Sequence, residues 1–172
     1  MTLVVGIEDK RNVVLASDSF FGDDSCRDAM DTPKWFKVGQ IWVGYAGTIG
    51  VARVAEHLYK PPPPAPKEPA SAYLFRVVQG IYEAARVANL KPEDCQLLLA
   101  YKGRVYSVAD GGAPVRSLHG YAAVGAGEMQ ALAALAATES LAASAVDRAK
   151  LIVNSVARHN GQVATPVHVM RV

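Results

Sequence analysis

Apolar residues open the chain in short blocks. Leu3-Val4-Val5-Gly6-Ile7 and Val13-Val14-Leu15-Ala16 flank the polar stretch Glu8-Asp9-Lys10-Arg11-Asn12. Two largely β-branched runs across such a turn predict a hairpin. From Phe20 to Pro33 no period is visible, and the segment reads as irregular. Lys34-Trp35-Phe36-Lys37-Val38 then alternates charge with hydrophobe, Gly39-Gln40 turns the chain, and Ile41-Trp42-Val43-Gly44-Tyr45-Ala46 predicts a buried strand ending at Gly47. Thr48 stands where a helix cap belongs, and Val51, Val54, Ala55 and Leu58 fall on one helical face.

Lys60-Pro61-Pro62-Pro63-Pro64-Ala65-Pro66-Lys67-Glu68-Pro69 interrupts both periods. Consecutive prolines favour a stiff, extended connection. A PxxP ligand at Pro61 to Pro64 is the competing reading, but a short segment between two helices favours a rigid surface link. Ser71 opens a long amphipathic helix with Leu74, Val77, Val78, Ile81, Ala85 and Ala88 on its apolar side, stopped before Pro92. Cys95–Tyr101 and Arg104–Val108 predict a hairpin across Lys102-Gly103, and Asp110-Gly111-Gly112 a turn. Tyr121–Val124 reads as a strand running into Gly125-Ala126-Gly127. Two alanine-rich helices follow at about 128–138 and 141–158, the second capped by Ser140, and a last strand ends at Val167–Val172. Strands and helices are segregated along the chain, which predicts an α+β fold with antiparallel sheets. One domain spanning 1–172 is expected, because strands on both sides of the proline segment are needed to complete a core.

Composition narrows the function classes. Of 172 residues, 51% are hydrophobic and 20% charged, which is globular. A net charge of +2, with the positive residues scattered along the sequence, gives no case for nucleic-acid binding. No apolar run reaches membrane-spanning length and no secretory signal is visible. Cys26 and Cys95 form no CxxC, so a reducing cytoplasm is expected.

Several chemistries can be weighed on spacing. Gly125-Ala126-Gly127-Glu128-Met129-Gln130-Ala131 fits GxGxxA, but a helix follows where a dinucleotide fold needs a parallel strand. The glycines fit a tight strand-to-helix turn better. His57, His119, His159 and His168 lack metal-ligand spacing, and no metal or cofactor is expected. Asp23-Asp24 reads as an exposed acidic loop rather than a cation site. No Ser/His/Asp set is apparent. Thr2, in contrast, stands directly behind Met1 and before a strand. A threonine hydroxyl needs a base, and the α-amine of the same residue, with a pKa of about 7.7–8.0, can be that base once Met1 is removed.

The spacing of Thr2, the Val13-Val14-Leu15-Ala16-Ser17-Asp18 run, Lys34 and Gly44-Tyr45-Ala46-Gly47 resembles the proteasome β-type subunits of the N-terminal-nucleophile hydrolases, HslV in particular. In that family an Asp stands sixteen positions after the threonine and a Lys thirty-two, and a G-x-A-G turn opens a helix. Tyr121–Gly127 is similar to the family's A-I-G-S-G stretch. The resemblance runs through nearly the whole chain, in order.

What the resemblance implies is a four-layer αββα sandwich and peptide hydrolysis by Thr2, with catalytic roles for Asp18, Lys34 and Gly47. Thr2 would be the nucleophile, Lys34 a buried cation that lowers the pKa of its hydroxyl, Asp18 the countercharge, and the Gly47 N–H an oxyanion donor. Phe21, Tyr45 and Ile49 fall near positions that line the family's specificity pocket. The partners implied are peptide or unfolded-protein substrates, further copies of the chain in a homo-oligomeric ring, and an ATP-dependent unfoldase, with no membrane and no nucleic acid.

The chain departs from the family in three places, one of them a Lys34-to-Gly47 interval slightly shorter than the family's. Ala126 replaces a usual serine, and Val156-Ala157-Arg158-His159-Asn160-Gly161 lacks the usual carboxylate. Two readings therefore stay open beside the peptidase: a catalytically silent ring subunit, and an amidase acting on a small amide.

Overall fold

The computed structural model describes residues 2–22 and 27–172, without the side chain of Arg27. Met1, the Asp23-Asp24 pair and Cys26 lie outside the described residues. The first hairpin is β1 (Leu3–Asp9) and β2 (Asn12–Ser17). A ribbon of β3 (Phe20–Gly22) and β4 (Arg27–Ala29) follows, where no regular structure was expected. Then come β5 (Trp35–Val38), β6 (Ile41–Gly47), α1 (Ile49–His57) and α2 (Ala70–Val87). After them the chain forms β7 (Cys95–Tyr101), β8 (Arg104–Ala109) and β9 (Ala113–Arg116). It closes with β10 (Tyr121–Gly125), α3 (Glu128–Ala137), α4 (Ala145–His159) and β11 (His168–Arg171).

The strands form two antiparallel sheets, β10-β1-β2-β11 and β5-β6-β7-β8-β9. Alternation along each strand decides what fills the layers. Val4, Leu15, Leu98, Val105 and Val124 point inward and pack the two sheets together. Their neighbours Leu3, Val5, Val14 and Ala16 point out, against Leu135, Ile152, Val153 and Val156 of α3 and α4. On the other sheet Val43, Leu97 and Leu99 face Val51, Leu74, Val77 and Ile81 of α1 and α2. The result is the expected αββα order, with three apolar layers between four layers of structure.

Several local expectations are corrected. Helix α4 begins at Ala145, and its cap is Ser144, whose hydroxyl accepts from the Asp147 N–H. Ser140 is not its cap. Thr48 holds the N-cap position of α1 but makes no side-chain capping bond. Leu58 lies just past α1 and is 72% exposed, and Ala88 just past α2 is exposed too, because each helix unwinds before its apolar stripe reaches them. Strand β9 was not foreseen: Pro114 and a single exposed valine, Val115, between it and Arg116 hide an edge strand. The proline segment does link α1 to α2, and Arg76 of α2 holds it through Glu68 and the Pro63 carbonyl.

Candidate active site

Thr2 enters β1 at one end of the inner layer and is 5% exposed. Its carbonyl accepts the Ala126 N–H at 2.8 Å, just beyond β10. Gly125 makes this approach feasible: its φ is +106°, and a Cβ there would lie 2.0 Å from the Thr2 oxygen. The neighbouring β2 delivers Asp18 beside the same residues. Asp18 N–H donates to the Leu3 carbonyl at 3.1 Å, and Leu3 N–H returns a bond to Asp18 Oδ1 at 2.9 Å.

The Asp18 carboxylate is closed to solvent and accepts four bonds. Oδ1 takes Leu3 N–H and, at 2.8 Å, the Lys34 ammonium. Oδ2 takes Phe20 N–H at 2.9 Å and Ala164 N–H at 3.2 Å. Lys34 is 1% exposed and also donates to the Phe20 carbonyl at 2.6 Å. Its backbone is fixed as well, because Lys34 N–H donates to Ser17 Oγ and Tyr45 N–H to the Lys34 carbonyl. Burial pulls the Lys34 ammonium below the ordinary lysine range, and the charge and hydrogen bond of Asp18 act against that shift.

Strand β6 brings Gly47 to the same place. Its φ is +106°, and a Cβ would stand 2.1 Å from the Asp94 carbonyl, which accepts the Thr48 N–H. Only glycine fits this turn into the start of α1. A cavity of about 440 Å³ is lined by Thr2, Lys34 and Gly47 together with Phe21, Tyr45 and Ile49. Phe20, Met30 and Asp28 complete its walls. A second hollow of about 450 Å³ shares Thr2 and Gly47 and extends over Gln96, Gly125 and Ala126. Thr2 thus stands between two open volumes, an apolar-walled one and a more polar one.

Six of the seven residues singled out from the sequence line this cavity, and the seventh, Asp18, lies behind its wall, bonded to Lys34. Other contributors were not foreseen. Gln96 Oε1 accepts the Gly125 N–H at 2.8 Å, and Asn160 donates to the Ala126 carbonyl at 3.1 Å. Asn160 lies in the stretch that lacks the expected carboxylate, so that region still ties down the turn beside Thr2. The Asp18–Ala164 bond spans 146 residues. Nothing local to either residue announces it.

The remaining candidates fall away from the cavity. His57 and His119 are exposed beside Glu56 and Glu139, His159 is exposed, and His168 Nε2 is buried without a partner among the described residues. No group of three His, Cys, Asp or Glu residues able to hold a metal occurs among the described residues. Burial pushes the Cys95 thiol up to about 12, which leaves it protonated and inert at neutral pH. No described helix is long and apolar enough to cross a membrane.

No protein-family model and no curated protein matches the sequence. Solved structures do match. Thiobacillus denitrificans BPH in complex with epoxomicin is 19% identical, with a TM-score of 0.81 over 99% of this chain and 97% of that one. The same BPH in a second structure, also 19% identical, gives 0.80 over 99% and 97%. Eukaryotic HslV from Trypanosoma brucei is 14% identical, with a TM-score of 0.71 over 98% of each chain. Over nearly its whole length, this chain has the α+β fold of the HslV- and proteasome-type N-terminal-nucleophile hydrolases.

Proposed function

We propose that the chain is a threonine-type peptidase, with Thr2 as an N-terminal nucleophile freed by removal of Met1, working in a homo-oligomeric ring in the cytoplasm. The observation that carries this reading is the buried Lys34–Asp18 pair beside a cavity that Thr2 and Gly47 also line. A buried ion pair is costly to build, and plain stability does not require one here. A fixed cation beside a hydroxyl that must lose a proton has a clear chemical use.

The steps follow from that arrangement. Thr2 Oγ attacks the scissile carbonyl carbon while the Thr2 amine takes the hydroxyl proton. The carbonyl oxygen becomes an oxyanion and is met by the Gly47 N–H at the entrance to α1. Lys34 offsets the negative charge that develops on Oγ, and Asp18 holds Lys34 in its charged, oriented form. The C–N bond then breaks, and the ammonium of Thr2 returns its proton to the leaving nitrogen. Water, deprotonated by the same amine, cleaves the Thr2 ester and restores the hydroxyl. Phe21, Tyr45 and Ile49 would receive an apolar side chain on the acyl side of the cleaved bond. Substrates would be peptides or unfolded proteins, delivered by an ATP-dependent unfoldase. A protein of the same fold has been solved with epoxomicin bound, which makes that compound a suitable probe here.

Ala126 and the missing carboxylate between Val156 and Gly161 favour a second reading, a catalytically silent ring subunit. Intact mass of the purified protein first establishes that Met1 is gone. An electrophilic peptide and a fluorogenic peptide are then applied to the mature chain and to Thr2→Ala. The peptidase reading expects one label per chain and turnover, both lost in Thr2→Ala and both blocked by epoxomicin. A mature chain with neither label nor turnover assigns the silent subunit. Turnover of small amides in preference to peptides assigns an amidase.

A further inference from the structure

We propose that the end of the sandwich opposite Thr2 carries a second site, one that binds a compact oligophosphate anion on guanidinium groups organised by Glu8. Strand β1 runs from Leu3, next to Thr2, to Asp9, which places Glu8 roughly 20 Å from the threonine. There a cavity of about 370 Å³ is lined by Lys10, Arg104, Arg116 and Arg148, with Glu8 at its base. Four cations and the Glu8 carboxylate line it, with Glu139 at the rim against His119 and Tyr121, in a chain whose whole surplus is +2. The sequence hides this concentration, because the turn after β1, strands β8 and β9 and helix α4 each supply one cation.

Three of these cations, Arg104, Arg116 and Arg148, are held in place by hydrogen bonds. Glu8 Oε2 accepts Arg104 Nη1 at 2.7 Å and Arg116 Nη2 at 2.9 Å, while Oε1 accepts Arg116 Nε at 2.9 Å and Val105 N–H at 3.1 Å. Both Glu8 oxygens are thereby used, and the carboxylate acts as a splint for two guanidinium planes. Arg104 Nε and Nη2, Arg116 Nη1 and the Lys10 ammonium have no partner among the described residues. Both arginine side chains are about half exposed, so these donors face solvent. Arg148 adds fixed charge behind them, held by the Leu135 carbonyl and Thr138 Oγ1.

Forked donors at fixed spacing suit phosphate oxygens. Several positive charges in so small a concavity call for several negative charges in a similarly small ligand, which an oligophosphate supplies and an extended acidic peptide does not. His119 stacks on Tyr121 with centroids 5.7 Å apart and leaves its outer face exposed at the rim. That face could take the base of a nucleotide, so the phosphate chain has two sources to distinguish, a free oligophosphate and a nucleotide.

Calorimetric titration of the full chain with inorganic triphosphate at about 50 mM salt tests the proposal. Saturable binding is expected, weakening as salt rises. Arg104→Gln should weaken it by about tenfold, and Lys10→Asn by about threefold. Glu8→Gln removes a negative charge, so a purely electrostatic patch would bind tighter. The splint role predicts weaker binding, in protein whose fold is verified by circular dichroism. ATP binding tighter than triphosphate, with the gain lost in His119→Ala, identifies the nucleotide as the source; equal affinities identify the free oligophosphate. Absence of saturation at millimolar triphosphate, unchanged binding in Arg104→Gln, tighter binding in Glu8→Gln, or stronger binding of a hexaglutamate peptide than of triphosphate each overturns it. Binding is the only readout, so the outcome is independent of whether Thr2 is a nucleophile.

Discussion

Lys34 Nζ lies 2.8 Å from Asp18 Oδ1, with both side chains all but sealed from solvent. Removing either partner leaves the other charge buried and uncompensated. Lys34→Ala and Asp18→Asn should each abolish peptide hydrolysis and lower stability by about 3–5 kcal/mol. Denaturant unfolding read beside a peptide assay separates the two effects. Full activity in a folded Lys34→Ala protein would remove Lys34 from the mechanism.

The Thr2 α-amine is assigned the proton, so the identity of the residue in front of it should matter more than the hydroxyl alone. Thr2→Ser should retain part of the turnover, since hydroxyl and amine both remain. A variant carrying one permanent extra residue before Thr2 should be inactive, because an amide nitrogen is not a base. Each N-terminus is verified by mass before and after the assay. Equal rates from the extended and mature forms would sink the N-terminal-nucleophile mechanism while leaving the fold untouched.

Gly47→Ala sets a Cβ against the Asp94 carbonyl at a φ of +106°. The turn has to open, at a cost of at least about 2 kcal/mol. Since the same turn presents the Gly47 N–H, activity should fall further than stability. Comparing kcat with the unfolding midpoint measures that difference, and a fully active Gly47→Ala enzyme would rule out the oxyanion role.

Tyr45 carries a buried hydroxyl that has no hydrogen-bond partner among the described residues, and its ring lines the cavity beside Thr2. Deleting an unsatisfied buried hydroxyl costs little, so Tyr45→Phe should be neutral or more stable by up to about 1 kcal/mol. Tyr45→Ala should enlarge the cavity and shift cleavage toward larger apolar residues on the acyl side. A peptide library cleaved by the parent chain only after Lys or Glu would contradict the apolar pocket.

Glu8 should make the protein sensitive to acid. Burial raises its pKa, but the bonds from Arg116, Arg104 and Val105 outweigh burial and hold it below the usual carboxylate range. A carboxylate depressed in the folded state adds stability above its unfolded pKa, and the contribution disappears as pH falls through the folded value. Wild type should exceed Glu8→Gln by about 1–3 kcal/mol at neutral pH, with the gap closing under acidic conditions. Unfolding curves for both proteins between neutral pH and about pH 3 test this; a gap that persists in acid would contradict it.

Much of this arrangement was legible in the sequence because its signals are local or regularly spaced. Val4 and Leu15 alternate with Val5 and Val14, which fixes the inner and outer faces of the first hairpin. Thr2, Asp18, Lys34 and Gly47 each sit at or beside the end of such a strand, but it is the resemblance of their spacing to the HslV-type family that groups them. What escaped has physical causes. The three-residue strands β3 and β4 are too short to show a period, and β9 carries a proline. Ser140 and Ser144 are equally good caps in composition, and packing of Ala149, Ile152 and Val153 on the sheet decides between them. The Ala164 bond to Asp18 and the meeting of Lys10, Arg104 and Arg116 join residues that only tertiary folding brings together.

The bond from Ala164 N–H to Asp18 Oδ2 also bears on timing. Asp18 is translated 146 residues before Ala164, which supplies one of its four donors. Until that donor arrives, the carboxylate that steadies Lys34 is incompletely held. A nascent chain therefore carries an unfinished Asp18–Lys34 centre until Ala164 has been added. Protection of the Leu3 and Phe20 amides from exchange should accordingly rise late, together with that of Ala164, rather than with the first hairpin.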